Sequence, residues 1–163
     1  MKYLVIAAAM FGFVSTSVMA QQAQLSAADI TKIKGEVEAA LNHYVKLFSA
    51  QDAKGIATTV FSNPSMAMGP NGPTVQTPDK VQANYQKSFD DLKKIDYDHS
   101  VFSNMKVCVT SANSAIIGGT FKRIKKDGSE IMEARASYLY TKTPDGWRLM
   151  TTLGSPKNGV SCD

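Results

Sequence analysis

Few side chains in this chain are suited to moving protons or holding ions. The two histidines, His43 and His99, lie far apart in sequence. His99 stands near Asp96 and Asp98, close enough for a carboxylate to orient its imidazole, the group that titrates nearest neutrality. The same residues read equally as a surface histidine at a strand end. Tyr44, Tyr85, Tyr138 and Tyr140 each join an apolar ring to a polar tip. They can wall a pocket, or pack as core aromatics whose hydroxyls reach backbone or surface. Met66 and Met68 supply adaptable filling for an apolar wall or for a core. Two distant histidines and two cysteines do not make a ligand set, so neither metal nor cofactor is expected.

The two cysteines, Cys108 and Cys162, take their meaning from the first twenty residues. Met1-Lys2 is a small positive start, Tyr3 to Val14 is almost unbrokenly apolar, and Val18-Met19-Ala20 ends in small or modest residues. This is the pattern of a secretory signal peptide cleaved near Ala20, so a periplasmic or secreted address is expected. The apolar run is short for a bilayer span, and no membrane insertion is expected after cleavage. In an oxidising compartment an even cysteine count points to a disulfide between Cys108 and Cys162. It would tie down a tail, residues 155–163, rich in Gly, Pro, Ser and Asn.

A net charge of +4 is too mild for a nucleic-acid footprint, which needs a dense basic stripe. The one basic cluster, Lys122, Arg123, Lys125 and Lys126, sits beside Asp127-Gly128, a hairpin-turn dipeptide. It reads as a solvated hairpin tip, with an anionic partner as the alternative.

These side chains must be positioned by one domain, residues 21–154. Ser26 with Asp29 forms a capping-box spacing that opens a first helix running to about Ala50. Ile30, Ile33, Val37, Ala40, Leu41, Tyr44 and Phe48 fall on one face of that helix. Asp52 caps a second helix through Phe61, stopped by Asn63-Pro64. Residues 65–68 read as a short strand, 69–73 as a Gly/Pro loop, and Thr77-Pro78 as the start of a third helix striped by Val81, Tyr85, Phe89 and Leu92. After Ile95 the period becomes two, and four long strands follow over 96–109, 114–126, 130–143 and 146–154, joined by short turns. Strict alternation in the first puts Val101, Met105, Val107 and Val109 on one face and Phe102, Asn104, Lys106 and Cys108 on the other; if the first set faces the core, Cys108 points to the outer face. Three helices and a curved antiparallel meander make an α+β domain, with a cavity where the sheet wraps the long helix.

That order resembles the nuclear transport factor 2-like superfamily, the cone-shaped fold of ketosteroid isomerase and the SnoaL-like cyclases. The likeness rests on Tyr44-Val45-Lys46-Leu47-Phe48-Ser49-Ala50-Gln51-Asp52-Ala53-Lys54-Gly55-Ile56 and on Tyr138-Leu139-Tyr140-Thr141-Lys142-Thr143-Pro144-Asp145-Gly146-Trp147-Arg148-Leu149. The resemblance implies an oxyanion-binding hydroxyl at Tyr44. It places the isomerase's carboxylate base at Met68 and its second acid near Tyr138, neither of which is a carboxylate. A hydrogen-bond donor without a base polarises a carbonyl but cannot move its proton. The epoxide-hydrolase pattern would use Arg135, but Ser137 stands where that pattern needs an acid. The resemblance also implies a homodimer paired through the outer face of the sheet. The expectation is therefore an exported binder of a small apolar or aromatic molecule, lined by Tyr44, Met66, Met68, Tyr85, Tyr138 and Tyr140. An isomerase-, cyclase- or dehydratase-like enzyme using Tyr44 and His99, and an assembly module, are the alternatives.

Overall fold

The computed structural model describes residues 24–154. The expected signal peptide, residues 155–163 and with them Cys162 lie outside the described residues. Ser26 caps helix α1 (Ala27–Ser49) with a complete capping box: its hydroxyl accepts from the Asp29 N–H at 3.1 Å, and the Asp29 carboxylate accepts from the Ser26 N–H at 3.2 Å. The stripe Ile33, Val37, Leu41, Tyr44 and Phe48 is buried along its length. Asp52 caps a short helix α2 (Ala53–Gly55), as its side-chain position predicts. The expected ordinary helix does not continue to Phe61, because residues Ile56–Val60 widen into a π-helical turn. That turn buries Ile56, Ala57 and Val60, three apolar residues within five.

Strands β1 (Ser65–Gly69) and β2 (Gly72–Gln76) form an antiparallel hairpin. The Gly/Pro loop expected over 69–73 is thus a two-residue turn, Pro70-Asn71, running into a second strand. Gly72, at φ 99°, supplies the left-handed backbone there. Pro73 is tolerated because a two-stranded hairpin leaves β2 with a free edge. Thr77 caps helix α3 (Pro78–Lys93), whose buried stripe is Val81, Phe89 and Leu92.

The main sheet is an antiparallel meander of β3 (Tyr97–Ser111), β4 (Ser114–Lys125), β5 (Glu130–Thr143) and β6 (Gly146–Gly154), within a residue or two of the predicted bounds. The three helices and this curved, unclosed sheet make the expected α+β architecture, with α1 in the concavity. One side-chain tie spans the whole chain order. The Trp147 indole donates to the Glu36 carboxylate at 2.7 Å, and Lys142 reaches the same oxygen at 3.0 Å. These bonds, with the indole as the larger cause, hold the Glu36 carboxyl below its ordinary value.

Strict alternation fails in β3. Asn104 has φ 53°, and the pairing slips between Ser103↔Thr120 and Lys106↔Gly118, leaving two residues on β3, Asn104 and Met105, against one on β4, Gly119. A bulge of this kind exchanges the two faces of a strand. Val101, expected in the core, is 46% exposed, while Phe102, expected outside, turns inward and stacks on Phe121. Beyond the bulge the expected faces hold: Val107 joins the core opposite Ile117, and Cys108 lies on the reverse face. Among the described residues no helix is long and apolar enough to cross a membrane.

Candidate functional site

Elements from both layers converge on an inner cavity of roughly 40 Å³. Helix α1 contributes Tyr44 and Phe48, one turn apart on its buried stripe. The segment of β3 before the bulge contributes Ser100 and Phe102. Strand β4 contributes Phe121 and Arg123, and β5 contributes Tyr138. The bulge at Asn104 matters here, since without the exchange of faces Ser100 and Phe102 would point away.

The walls are a continuous aromatic cluster. Tyr44 meets Phe48 and Tyr138 with ring centroids 5.8 Å apart, and Phe102 stacks on Phe121 at 5.7 Å. Such pairs are worth about 0.5–1.5 kcal/mol each beyond the area they bury. Burial pushes the Tyr44 and Tyr138 phenols well above their ordinary value, so both remain neutral donors at physiological pH. The Tyr44 hydroxyl is bonded to that of Tyr85 at 3.1 Å, and the Ser100 hydroxyl to that of Tyr97 at 2.8 Å. The Tyr138 hydroxyl makes no hydrogen bond among the described residues.

Arg123 is the one charged residue of this lining. Its guanidinium lies over the Phe48 and Phe121 rings, 5.5 and 5.6 Å from their centroids. Its Nε is buried without a hydrogen-bond partner, and no carboxylate among the described residues pairs with it. The nearby acids are engaged elsewhere, since Lys122 holds both Glu130 and Glu133 at 2.8 Å. The expectation of a solvated basic tip therefore fails at Arg123. Along β4 it follows Ile117, Gly119 and Phe121 at period two, which carries it to the concave face while Lys122 faces out. That alternation was the available signal, masked by the surrounding run of basic residues.

A second, larger groove of about 420 Å³ opens beside the β1–β2 hairpin, with Met66, Met68, Tyr85 and Arg135 among its lining residues. The Tyr44–Tyr85 hydroxyl pair thus links the walls of the two spaces. The six residues expected to line one pocket are divided: Tyr44 and Tyr138 line the inner cavity, while Met66, Met68 and Tyr85 line the groove. Tyr140 lines neither and is a fully buried core residue, its hydroxyl without a partner. His99 lies at the surface, its Nδ1 2.8 Å from Asp98, and takes no part in the inner lining. His99 and Tyr44 are not brought together in this cavity. His43 also faces outward, bonded to Thr59 at 2.8 Å. Among the described residues no three His, Cys, Asp or Glu side chains gather as a metal-ligand set.

Comparison with known proteins accounts for the architecture. No curated protein matches the chain. Among solved structures, an NTF2-like protein with a cystatin-like fold from Novosphingobium aromaticivorans superimposes with a TM-score of 0.62 at 12% identity, over 77% of this chain and 82% of its own. An NTF2-like protein of unknown function from Shewanella oneidensis gives 0.58 at 13% identity, over 74% and 96%. A ketosteroid isomerase-like protein from Erwinia carotovora atroseptica gives 0.54 at 21% identity, over 72% and 91%. At these identities the likeness carries the fold alone. The model of the family described as NTF2-like protein (DUF6841) matches residues 35–157, and the chain belongs to that family.

Proposed function

We propose that this is an exported, non-catalytic binding protein that holds a small molecule with apolar surface in the concavity of the sheet. The observation that carries this reading is the inner lining itself: five aromatic rings, two phenols kept neutral by burial, and neither a carboxylate nor an imidazole among the lining residues. Such a lining recognises by shape and by a few polar points, which is how small-molecule sites are commonly built. Size narrows the class. A benzene ring needs a cavity near 150 Å³, so about 40 Å³ suits a ligand of a few heavy atoms. Export, a Cys108–Cys162 disulfide and a homodimer belong to the same reading.

Native mass spectrometry of the protein purified from the periplasm, without reductant, tests it. A reproducible small-molecule adduct is expected, and it should disappear in the folded Tyr44→Ala, Tyr138→Ala double variant. An adduct that survives this change would place binding elsewhere. A persistently clean mass, with no ligand acquired from a panel of small carboxylates, amides and alcohols, would overturn the reading.

A further inference from the structure

The proposed binder leaves open what chemical class of molecule it selects, and Arg123 bears on that choice. A guanidinium cannot shed its proton in a protein, so its charge persists inside the aromatic lining. Burying a cation is costly unless it is paired or hydrogen-bonded. Two aromatic faces supply part of the compensation, but they leave the buried Nε–H without an acceptor. The usual partner, a carboxylate of the same chain, is absent among the described residues, because Glu130 and Glu133 are taken by Lys122 on the opposite face. Tyr138 lines the same cavity, and its hydroxyl is a second donor with no partner among the described residues. The remaining polar atoms, the hydroxyls of Tyr44 and Ser100, are already bonded to Tyr85 and Tyr97. The free hydrogen-bonding capacity of the cavity is thus cationic and donor-rich, and its remaining walls are phenyl rings.

Resting on the binding reading above, we infer that the inner cavity selects a short-chain monocarboxylate. Its carboxylate lies against the Arg123 guanidinium and the Tyr138 hydroxyl, and its short apolar chain lies against Phe48, Phe102 and Phe121. A planar fork donating to a planar carboxylate is the arrangement arginine offers and lysine does not. The small volume excludes a multi-ring body, and the lack of a cavity carboxylate disfavours a cationic ligand, which would meet Arg123 unscreened.

The test is titration of the mature protein with sodium acetate and, separately, with acetamide, its neutral isostere, at constant ionic strength. The readouts are the Arg123 Nε–H resonance and the Tyr138 ring resonances. Acetate should shift both along one saturable curve, and acetamide should bind about tenfold or more weakly, the range expected when a charged hydrogen bond is replaced by a neutral one. Arg123→Gln should weaken acetate by a similar factor, Arg123→Lys should recover only part of the loss, and Tyr138→Phe should weaken it several-fold. Should Arg123→Gln not fold, the acetate–acetamide comparison on the unaltered protein and the Tyr138→Phe variant decide the matter. Equal affinity for acetate and acetamide would overturn selection for an anion while leaving a neutral-ligand binder standing. A linear, unsaturable response at Arg123 would overturn the carboxylate site, whatever adduct mass spectrometry finds.

Discussion

Burial has taken four phenols out of reach of solvent base. Tyr44, Tyr85, Tyr138 and Tyr140 are all held above their ordinary value of 10.0, in each case chiefly because a phenolate would be desolvated. The sign of the consequence follows from proton counting. Above about pH 10 the unfolded chain releases phenolic protons that the folded chain keeps, so stability falls as pH rises through and beyond that value. Below it these residues contribute no pH dependence. In the folded protein at about pH 11, Tyr44→Phe should therefore leave the phenolate absorbance unchanged, while lowering it after unfolding in urea. A drop in the folded sample would mean that Tyr44 ionises in place and that the cavity is wetter than its geometry implies. The individual positions differ in how legible they were. Tyr44 is marked by the 3.6-residue stripe of α1, and Tyr138 by the likeness of the last hairpin. Arg123 was hidden because a run of Lys and Arg reads as solvated surface, and only its phase relative to Phe121 distinguishes it from Lys122.

Elements were easier to read than the faces they present. The capping box at Ser26, the Thr77-Pro78 start and the Asp127-Gly128 turn act locally, so the helices and long strands fall close to their predicted bounds. The bulge in β3 is not local. It depends on which residues of β4 stand opposite, and Ser103 to Lys106 carry no glycine to announce it. Gly119 is the counterpart on β4. A Cβ there would sit 2.8 Å from the Ser103 carbonyl oxygen and collide with the Met105 sulfur. The backbone oxygen cannot rotate away, so relief would require the bulge itself to shift. Gly119→Ala should destabilise the fold by about 1–3 kcal/mol, the ordinary cost of overpacking, measured by urea unfolding. Gly35→Ala is the matched control: its Cβ meets nothing within 4 Å on a helical site, so it should be neutral or stabilise by up to about 1 kcal/mol. If both substitutions proved neutral, the close approach at the bulge would not be the reason for glycine at 119.

The fold of the whole molecule brings distant parts of the chain together: Glu36 of α1 binds Trp147 and Lys142 of the last hairpin, and Ser62 donates its N–H to the Leu149 carbonyl at 3.0 Å. The proposed Cys108–Cys162 disulfide would add a covalent link of the same kind. Cys108 is buried on the face of β3 opposite Val107, so a tail joined to it would cross the convex side of the sheet and leave the aromatic cavity free. Closing a loop of this length removes denatured-state entropy worth about 4 kcal/mol at most, with any native strain subtracted. Peptide mapping of the protein without reductant should recover the two cysteines as one linked fragment. Reduction, or the Cys162→Ser variant, should then lower unfolding stability by about 2–4 kcal/mol while leaving acetate binding at Arg123 essentially unchanged. The two readouts separate two arrangements of the tail. Loss of stability with binding intact is the result for a strap on the outer face. Loss of both would mean that the tail helps to build the cavity, and the ligand site would then have to be redrawn to include it.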